Sequence, residues 1–190
     1  MRSRLPWRAS RAVLACGVAL VVGGCVGTID REDFNRTIQQ RGGGVTPELP
    51  QNAVDAIADR LGVEDFAFRS LTINPPNELV VVDVRDPVTP VNLDTYTVRR
   101  GTVERVVPVR LSAEVDLDAE TILVSTVAFD RLDEMADAAI AEFDRDGYVT
   151  SISATALDET ATISMSLESD RASATARFTA AGDLIEVVRS

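Results

Sequence analysis

Apolar residues recur at helical spacing in two segments of the chain. In residues 47–61 they line one face, with Thr46 as the expected N-cap and Gly62 as the end signal. The members of that face are Leu49, Ala53, Val54, Ile57, Ala58 and Leu61. A second face begins behind Asp130 and comprises Leu132, Met135, Ala136, Ala139, Ile140 and Phe143. The pattern predicts two amphipathic helices, each with one buried side.

The segments that follow each predicted helix are rich in β-branched residues and are bounded by turn-forming residues. After the first helix, strands are expected at 66–74, 79–85, 92–99 and 102–111. The dipeptides Pro75-Pro76, Asp86-Pro87 and Arg100-Gly101 separate them, and all three favour turns. After the second helix, strands are expected at 148–157, 161–167, 172–179 and 184–188. Each helix therefore precedes four strands.

This repeated order predicts an α+β fold of two tandem α-β-β-β-β modules. The first module covers residues 46–112 and the second covers 113–190. A helix with one apolar face has to bury that face, and an antiparallel sheet offers a matching surface. We therefore expect each helix to lie across its own sheet, which gives two similar cores.

Two short motifs in the second module resemble a known family. Asp146-Gly147-Tyr148-Val149 follows the predicted helix, and residues 178–185 read as a closing strand, turn and strand. Together with the element order, they resemble the tandem cystatin-like modules of PepSY-type domains and the β-lactamase inhibitor protein. In the first module the resemblance rests on element order alone. It implies a binding or inhibitory role rather than catalysis.

The first 24 residues have the pattern of an export signal. Arg2, Arg4, Arg8 and Arg11 precede an uncharged, mostly apolar run at 12–22, with no acidic residue among them. A permanent membrane helix needs about 20 apolar residues, so this run is too short to be one. We expect residues 1–24 to be a signal peptide that is removed.

Val22-Gly23-Gly24-Cys25 resembles the lipobox of bacterial lipoproteins. The resemblance implies cleavage before Cys25, lipid on that cysteine, and a domain on the extracytoplasmic side of the cell membrane. Two acyl chains give stable anchoring. An ordinary secretory signal with an incidental cysteine is the alternative. Cys16 ends a competing lipobox, but almost no apolar run would separate it from Arg11.

Residues 25–45 are polar, include Gly42-Gly43-Gly44, and read as a flexible tether between the lipid and the folded domain. Removing residues 1–24 takes four of the 19 arginines and none of the 30 acids, which leaves a net charge of −15. Such a domain repels nucleic acid and anionic lipid headgroups but accepts basic partners. The arginine-rich composition without lysine or histidine resembles proteins of high-GC genomes such as actinobacteria.

Two acidic motifs have spacings that resemble metal sites. Residues 142–153 carry alternating acids in an EF-hand-like spacing, but Glu142 stands at the first position and Ser153 replaces the bidentate glutamate. Asp116, Asp118 and Glu120 alternate, and in an extended segment they would share one face and could bind a cation or a basic partner. Charge runs are usually solvated surfaces. We therefore expect no metal site and no other cofactor.

The composition also argues against an enzyme. The chain has no histidine or lysine to activate a serine or threonine, and neither Cys16 nor Cys25 would remain as a free thiol in the mature domain. Paired carboxylates alone are an unspecific signal in a chain this acidic. We assign no catalytic residue.

One basic spot is a candidate for partner binding. Tyr96, Arg99 and Arg100 lie beside an expected hairpin turn, where they would hold an anionic or carboxylate-bearing group. The favoured function is a lipid-anchored, non-catalytic module that binds a protein or another partner in the envelope. The alternative is a carrier of a lipid or other apolar ligand, for which small residues such as Ala154 and Ala176 would leave room. A carrier needs a continuous apolar pocket of roughly 300 Å³ or more.

Overall fold

The computed structural model describes residues 45–190 except 145 and 159. The predicted signal peptide, Cys25 and almost all of the predicted tether lie outside the described residues. The sequence places Val45 in the tether, but its side chain is only 6% exposed and belongs to the core. Val45 therefore belongs to the folded domain and not to the tether.

The predicted order of two helices, each followed by four long strands, is present. The long elements are α1 (Glu48–Leu61), β1 (Ala67–Asn74), β2 (Leu79–Arg85), β3 (Leu93–Arg99), β4 (Thr102–Pro108), α3 (Leu132–Phe143), β6 (Tyr148–Leu157), β7 (Thr160–Glu168), β8 (Ser173–Thr179) and β9 (Leu184–Arg189). Between the halves lie a one-turn helix, α2 (Leu117–Glu120), and a two-residue strand, β5 (Ile122–Leu123). The fold thus combines helices with an antiparallel sheet, as expected for the α+β class.

Both long helices bury the faces that their apolar spacing predicts. All six apolar positions of α3 are buried, and α1 buries Ala53 and Ile57 with Pro50. Gly62 ends α1 in a left-handed conformation with φ 70°, and its N–H donates to the Ala58 carbonyl. The start differs by one residue, because Pro47 rather than Thr46 occupies the N-cap position, where no side chain makes a capping hydrogen bond.

The expectation of two sheets with two cores is wrong. The strands form one antiparallel sheet in the order β4-β3-β2-β1-β6-β7-β8-β9, with β5 also pairing β1. The halves meet where β1 pairs β6, with Leu71 opposite Ala154 and Ile73 opposite Ile152. Edge pairing satisfies backbone groups that two separate sheets would leave open. It also aligns the apolar faces, so both helices pack into one core.

None of the helices within residues 45–190, residues 145 and 159 aside, is long and apolar enough to cross a membrane.

Candidate functional site

The turn between β3 and β4 carries two of the three residues predicted to bind a partner. Arg100 and Gly101 both have positive φ angles, 51° and 69°, as a two-residue hairpin turn requires. The turn brings Arg99 and Arg100 to an open groove of about 970 Å³ at the start of α1. We call it the arginine groove; its other walls are Thr46, Glu48, Leu49, Asn52 and residues 75–78.

The two guanidinium groups of the arginine groove are matched by carboxylates. Arg100 Nε lies 2.6 Å from Glu78 Oε2, and Arg99 Nε lies 3.3 Å from Glu104 Oε2. Arg99 also donates from Nη1 to the Asn77 carbonyl at 3.1 Å. On the opposite wall, a backbone amide and the Thr46 hydroxyl lower the pKa of Glu48 below its usual value. The groove is therefore close to neutral rather than a basic spot.

Tyr96 is not part of this groove. It is only 6% exposed and belongs to the core, opposite Val82 of β2. Burial is the main cause that raises the pKa of its phenol above the ordinary value. Tyr96 and Arg99 are an odd number of positions apart in one strand, so their side chains project to opposite faces. The prediction that Tyr96 helps to dock a ligand is therefore wrong, while Arg99 and Arg100 remain candidates.

A second groove lies between α1 and the segment that leads into α3. Two short 3-10 turns, Val124–Thr126 and Phe129–Arg131, fold this segment against the helix. The floor is formed by the apolar residues Val124, Val127 and Phe129, each of which is about 5–6% exposed. Its volume is about 250 Å³. Its walls are Gln51, Val54, Asp55, Glu64, Asp65, Val124, Ser125, Val127, Phe129 and Asp130.

Four carboxylates, Asp55, Glu64, Asp65 and Asp130, form the rim of this second groove, which we call the acidic groove. Asp65 is fixed locally, because it accepts hydrogen bonds from the Ser125 hydroxyl at 2.6 Å and from the Phe66 amide at 2.8 Å. The other three form no ion pair with any described residue. An apolar floor inside a ring of negative charge suits a group that is apolar at its tip and cationic at its sides.

Both ends of the EF-hand-like motif lie in regular secondary structure. Glu142 is in the last turn of α3, whereas Ser153 lies within β6 and pairs with Thr72 of β1. The second half of the motif is therefore an extended strand held in the sheet. Within the described ranges, no three acidic side chains come close enough together to hold a metal ion.

The alternating acids at 116–120 do not lie in an extended segment. They form and flank α2, because Asp116 caps that turn by accepting from the Asp118 amide at 3.0 Å. Asp118 then lies 2.7 Å from Arg85, and Glu120 lies 2.7 Å from Arg69. These acids bind the link between the halves to β1 and β2.

The fold resembles that of a solved structure. No protein-family model and no curated protein matches the chain. Among solved structures, the chain is similar to the crystal structure of a "putative lipoprotein" from Clostridium difficile 630. The two share 13% sequence identity and superpose with a TM-score of 0.57 over 74% of this chain and 92% of the other. At that identity the likeness shows the fold alone.

Proposed function

We propose that this protein is a lipid-anchored, non-catalytic binding module of the bacterial envelope. In this proposal Cys25 carries the lipid, and the acidic groove takes a basic segment of a protein partner. The acidic groove is the observation that carries the binding role. The lipobox at residues 22–25 supports the anchor, as does a structural neighbour described as a "putative lipoprotein".

The groove combines two interactions of different strength. Exposed ion pairs contribute only about 0.2–1 kcal/mol each, so the rim alone gives weak binding. An apolar side chain that packs against Val127 and Phe129 contributes at most about 1.5–3 kcal/mol, the value for full burial. The charges then select for arginine or lysine beside that side chain and speed association with a domain of net charge −15. Binding of this kind weakens as salt concentration rises.

The carrier alternative has less support. The arginine groove is open and polar, while the more apolar acidic groove is about 250 Å³, below the roughly 300 Å³ of a small-ligand pocket. Ala154 of β6 and Ala176 of β8 are fully buried, as are Met165 of the intervening strand β7 and Phe178 of β8. The small side chains therefore fit a filled core as well as they fit a cavity.

The tandem-module resemblance to PepSY-type domains belongs to the same proposal, because such modules bind or inhibit more often than they catalyse. Arg99 and Arg100 are proposed as a second contact surface for the partner. Their carboxylate neighbours imply that a ligand there would have to displace Glu78 or Glu104, which lowers the net gain.

The binding proposal is tested by crosslinking in native membranes followed by affinity purification. The chain with Asp55→Asn and Asp130→Asn is compared with the chain carrying Asp59→Asn and Asp137→Asn. Each double variant removes two negative charges, one from α1 and one from α3 or the turn before it. Only the first pair of residues lies on the acidic groove. We expect the first pair to lose the crosslinked partner and the second pair to keep it. Equal capture by both variants would contradict a role for the groove.

The anchor is tested separately by mass spectrometry of the mature protein. Lipid on Cys25 as the first residue supports the proposal. A mature N-terminus elsewhere, or an unmodified Cys25, contradicts the anchor without bearing on the groove.

A further inference from the structure

The acidic groove has a complementary segment in the sequence of its own chain. Its floor is apolar, and its rim carries Asp55, Glu64, Asp65 and Asp130. Residues 31–41, which lie outside the described residues, combine apolar side chains with arginines. We propose that this segment of the same chain occupies the acidic groove. Such occupancy rests on the proposed function, in which the groove binds a basic segment, and it names a segment that competes with the partner.

Helical spacing places the complementary side chains of residues 31–41 on one face. At about 100° per residue, both apolar residues of the segment and two of its three arginines fall within an arc of about 80°. These four residues are Arg31, Phe34, Ile38 and Arg41. The two acidic residues of the segment fall outside this arc. The face therefore has an apolar centre with one arginine at each end, which matches the apolar floor and the negative rim of the groove.

The chain enters the fold close to the acidic groove. Val45 is buried, and Gln51, in the first turn of α1, is a wall of the groove. Only three glycines, residues 42–44, separate the segment from Val45. Glycine adopts the positive φ angles that a tight reversal needs, and helices in bundles are commonly joined by 2–8 residues. A segment that reverses at these glycines runs antiparallel to α1.

The segment and the groove also match in length. Arg31 and Arg41 are ten residues apart, which is about 15 Å in a helix. The groove extends alongside α1 from Gln51 to Glu64, which follows the end of the helix at Leu61. Gln51 and Leu61 are also ten residues apart. The antiparallel direction therefore places Arg31 toward Glu64 and Arg41 toward the first turn of α1.

A segment joined to the groove by a short linker binds it without a second molecule. Short flexible linkers give effective concentrations of about millimolar, so weak contacts are enough to keep the groove occupied. A partner then has to displace residues 31–41 before it reaches the apolar floor. The segment thus acts as an autoinhibitory contact that sets the partner concentration at which binding begins.

A single tryptophan tests the occupancy in the full mature chain. The sequence has no tryptophan after the predicted cleavage site, so Phe34→Trp introduces a unique reporter. We expect its emission to be blue-shifted and protected from quenching by acrylamide. Asp55→Asn combined with Asp130→Asn removes two exposed charges from the rim, which should weaken docking about fivefold and raise the quenching.

Two controls separate docking in the groove from other sources of protection. Asp59→Asn with Asp137→Asn removes two charges outside the groove and should leave the quenching unchanged. Gln40→Trp places the reporter on the other side of the segment, where it should be quenched equally in every background. A reporter at position 34 that is unprotected in the parent chain, or still protected in the rim variant, would overturn the proposal. Protection that is lost on dilution would place the segment in the groove of a second copy, which also contradicts it.

Partner capture in native membranes tests the competition separately. Phe34→Ser with Ile38→Ser removes the apolar contacts of the segment, and the yield of crosslinked partner should rise. Gln39→Ser with Gln40→Ser, outside the apolar face, should leave the yield unchanged. An unchanged yield with the apolar pair would overturn the competition. If the rim variant releases the tryptophan but keeps the partner, the proposed function fails while the docking of residues 31–41 stands.

Discussion

Replacing Ile57 with alanine tests whether both halves share one core. Ile57 is fully buried at the centre of α1 and packs in the cluster that includes residues of both halves. Truncating a buried isoleucine costs about 2–5 kcal/mol, because the lost transfer energy is joined by a cavity term. In a domain of this size, each kcal/mol lowers the melting temperature by about 2–4 °C. We therefore expect a fall of about 6–12 °C for a loss near 3 kcal/mol.

The two tyrosines allow each half to be followed separately. The only tryptophan, Trp7, lies in the predicted signal peptide, so tyrosine is the fluorophore of the mature chain. Tyr96 reports on β3 in the first half and Tyr148 on β6 in the second. Each is followed alone after the other is replaced by phenylalanine. Because one core unfolds as a unit, Ile57→Ala should lower both midpoints equally.

The control is Asp59→Ala, an exposed position on the same helix, which should change stability by no more than about 0.5 kcal/mol. The reasoning is refuted if Ile57→Ala lowers the Tyr96 midpoint while the Tyr148 midpoint stays at its wild-type value. That outcome would mean that the halves unfold independently despite the β1–β6 pairing.

Three further predictions concern single groups. Cys25→Ala should release the protein from the detergent phase of a phase-partition assay, and continued partition would contradict lipid on that residue. Millimolar calcium should leave the melting temperature unchanged, because Ser153 is held in β6; a rise of several degrees that Asp144→Ala abolishes would show a site after all. Burial raises the pKa of Tyr96 above its ordinary 10.0, so the folded state holds the phenol proton more tightly than the unfolded state does. The free energy of unfolding therefore keeps its full value below pH 10 and falls as the pH rises further. Tyr96→Phe should therefore flatten the loss of stability in alkali, and an unchanged slope would assign that loss to other groups.

The sequence predicts which face of each helix or strand is buried better than it predicts which strands pair. Helical spacing locates the buried sides of both helices, and Arg100-Gly101 locates the β3–β4 turn. A period of two tells which face of a strand is buried but not which strand lies beside it. No pattern in the sequence therefore indicates that β1 pairs with β6. The sequence predicts two sheets where the structure has one.

The candidate site divides in the same way. Alternation does carry the information that Tyr96 shares a face with the apolar Val98, so its burial was within reach of the sequence. The acidic groove could not be predicted from the sequence. Asp65 and Ser125 are 60 positions apart, and only the fold brings the segments around the groove together. Glu78 is 22 positions from Arg100, so the neutralisation of that arginine was equally hidden.

The junction between β1 and β6 also sets an order of folding for a chain that is synthesised from its N-terminus. Leu71 of β1 pairs with Ala154 of β6. Most of the folded sequence must therefore be synthesised before the middle of the sheet is complete. Until then, only Ala67 and Phe68 are covered on that side, through β5. Contacts between such distant segments form slowly. In an N-terminal half released alone, β1 would be an unpaired edge strand that is prone to aggregate. Such a fragment would be a substrate for chaperones or proteases rather than a small stable domain.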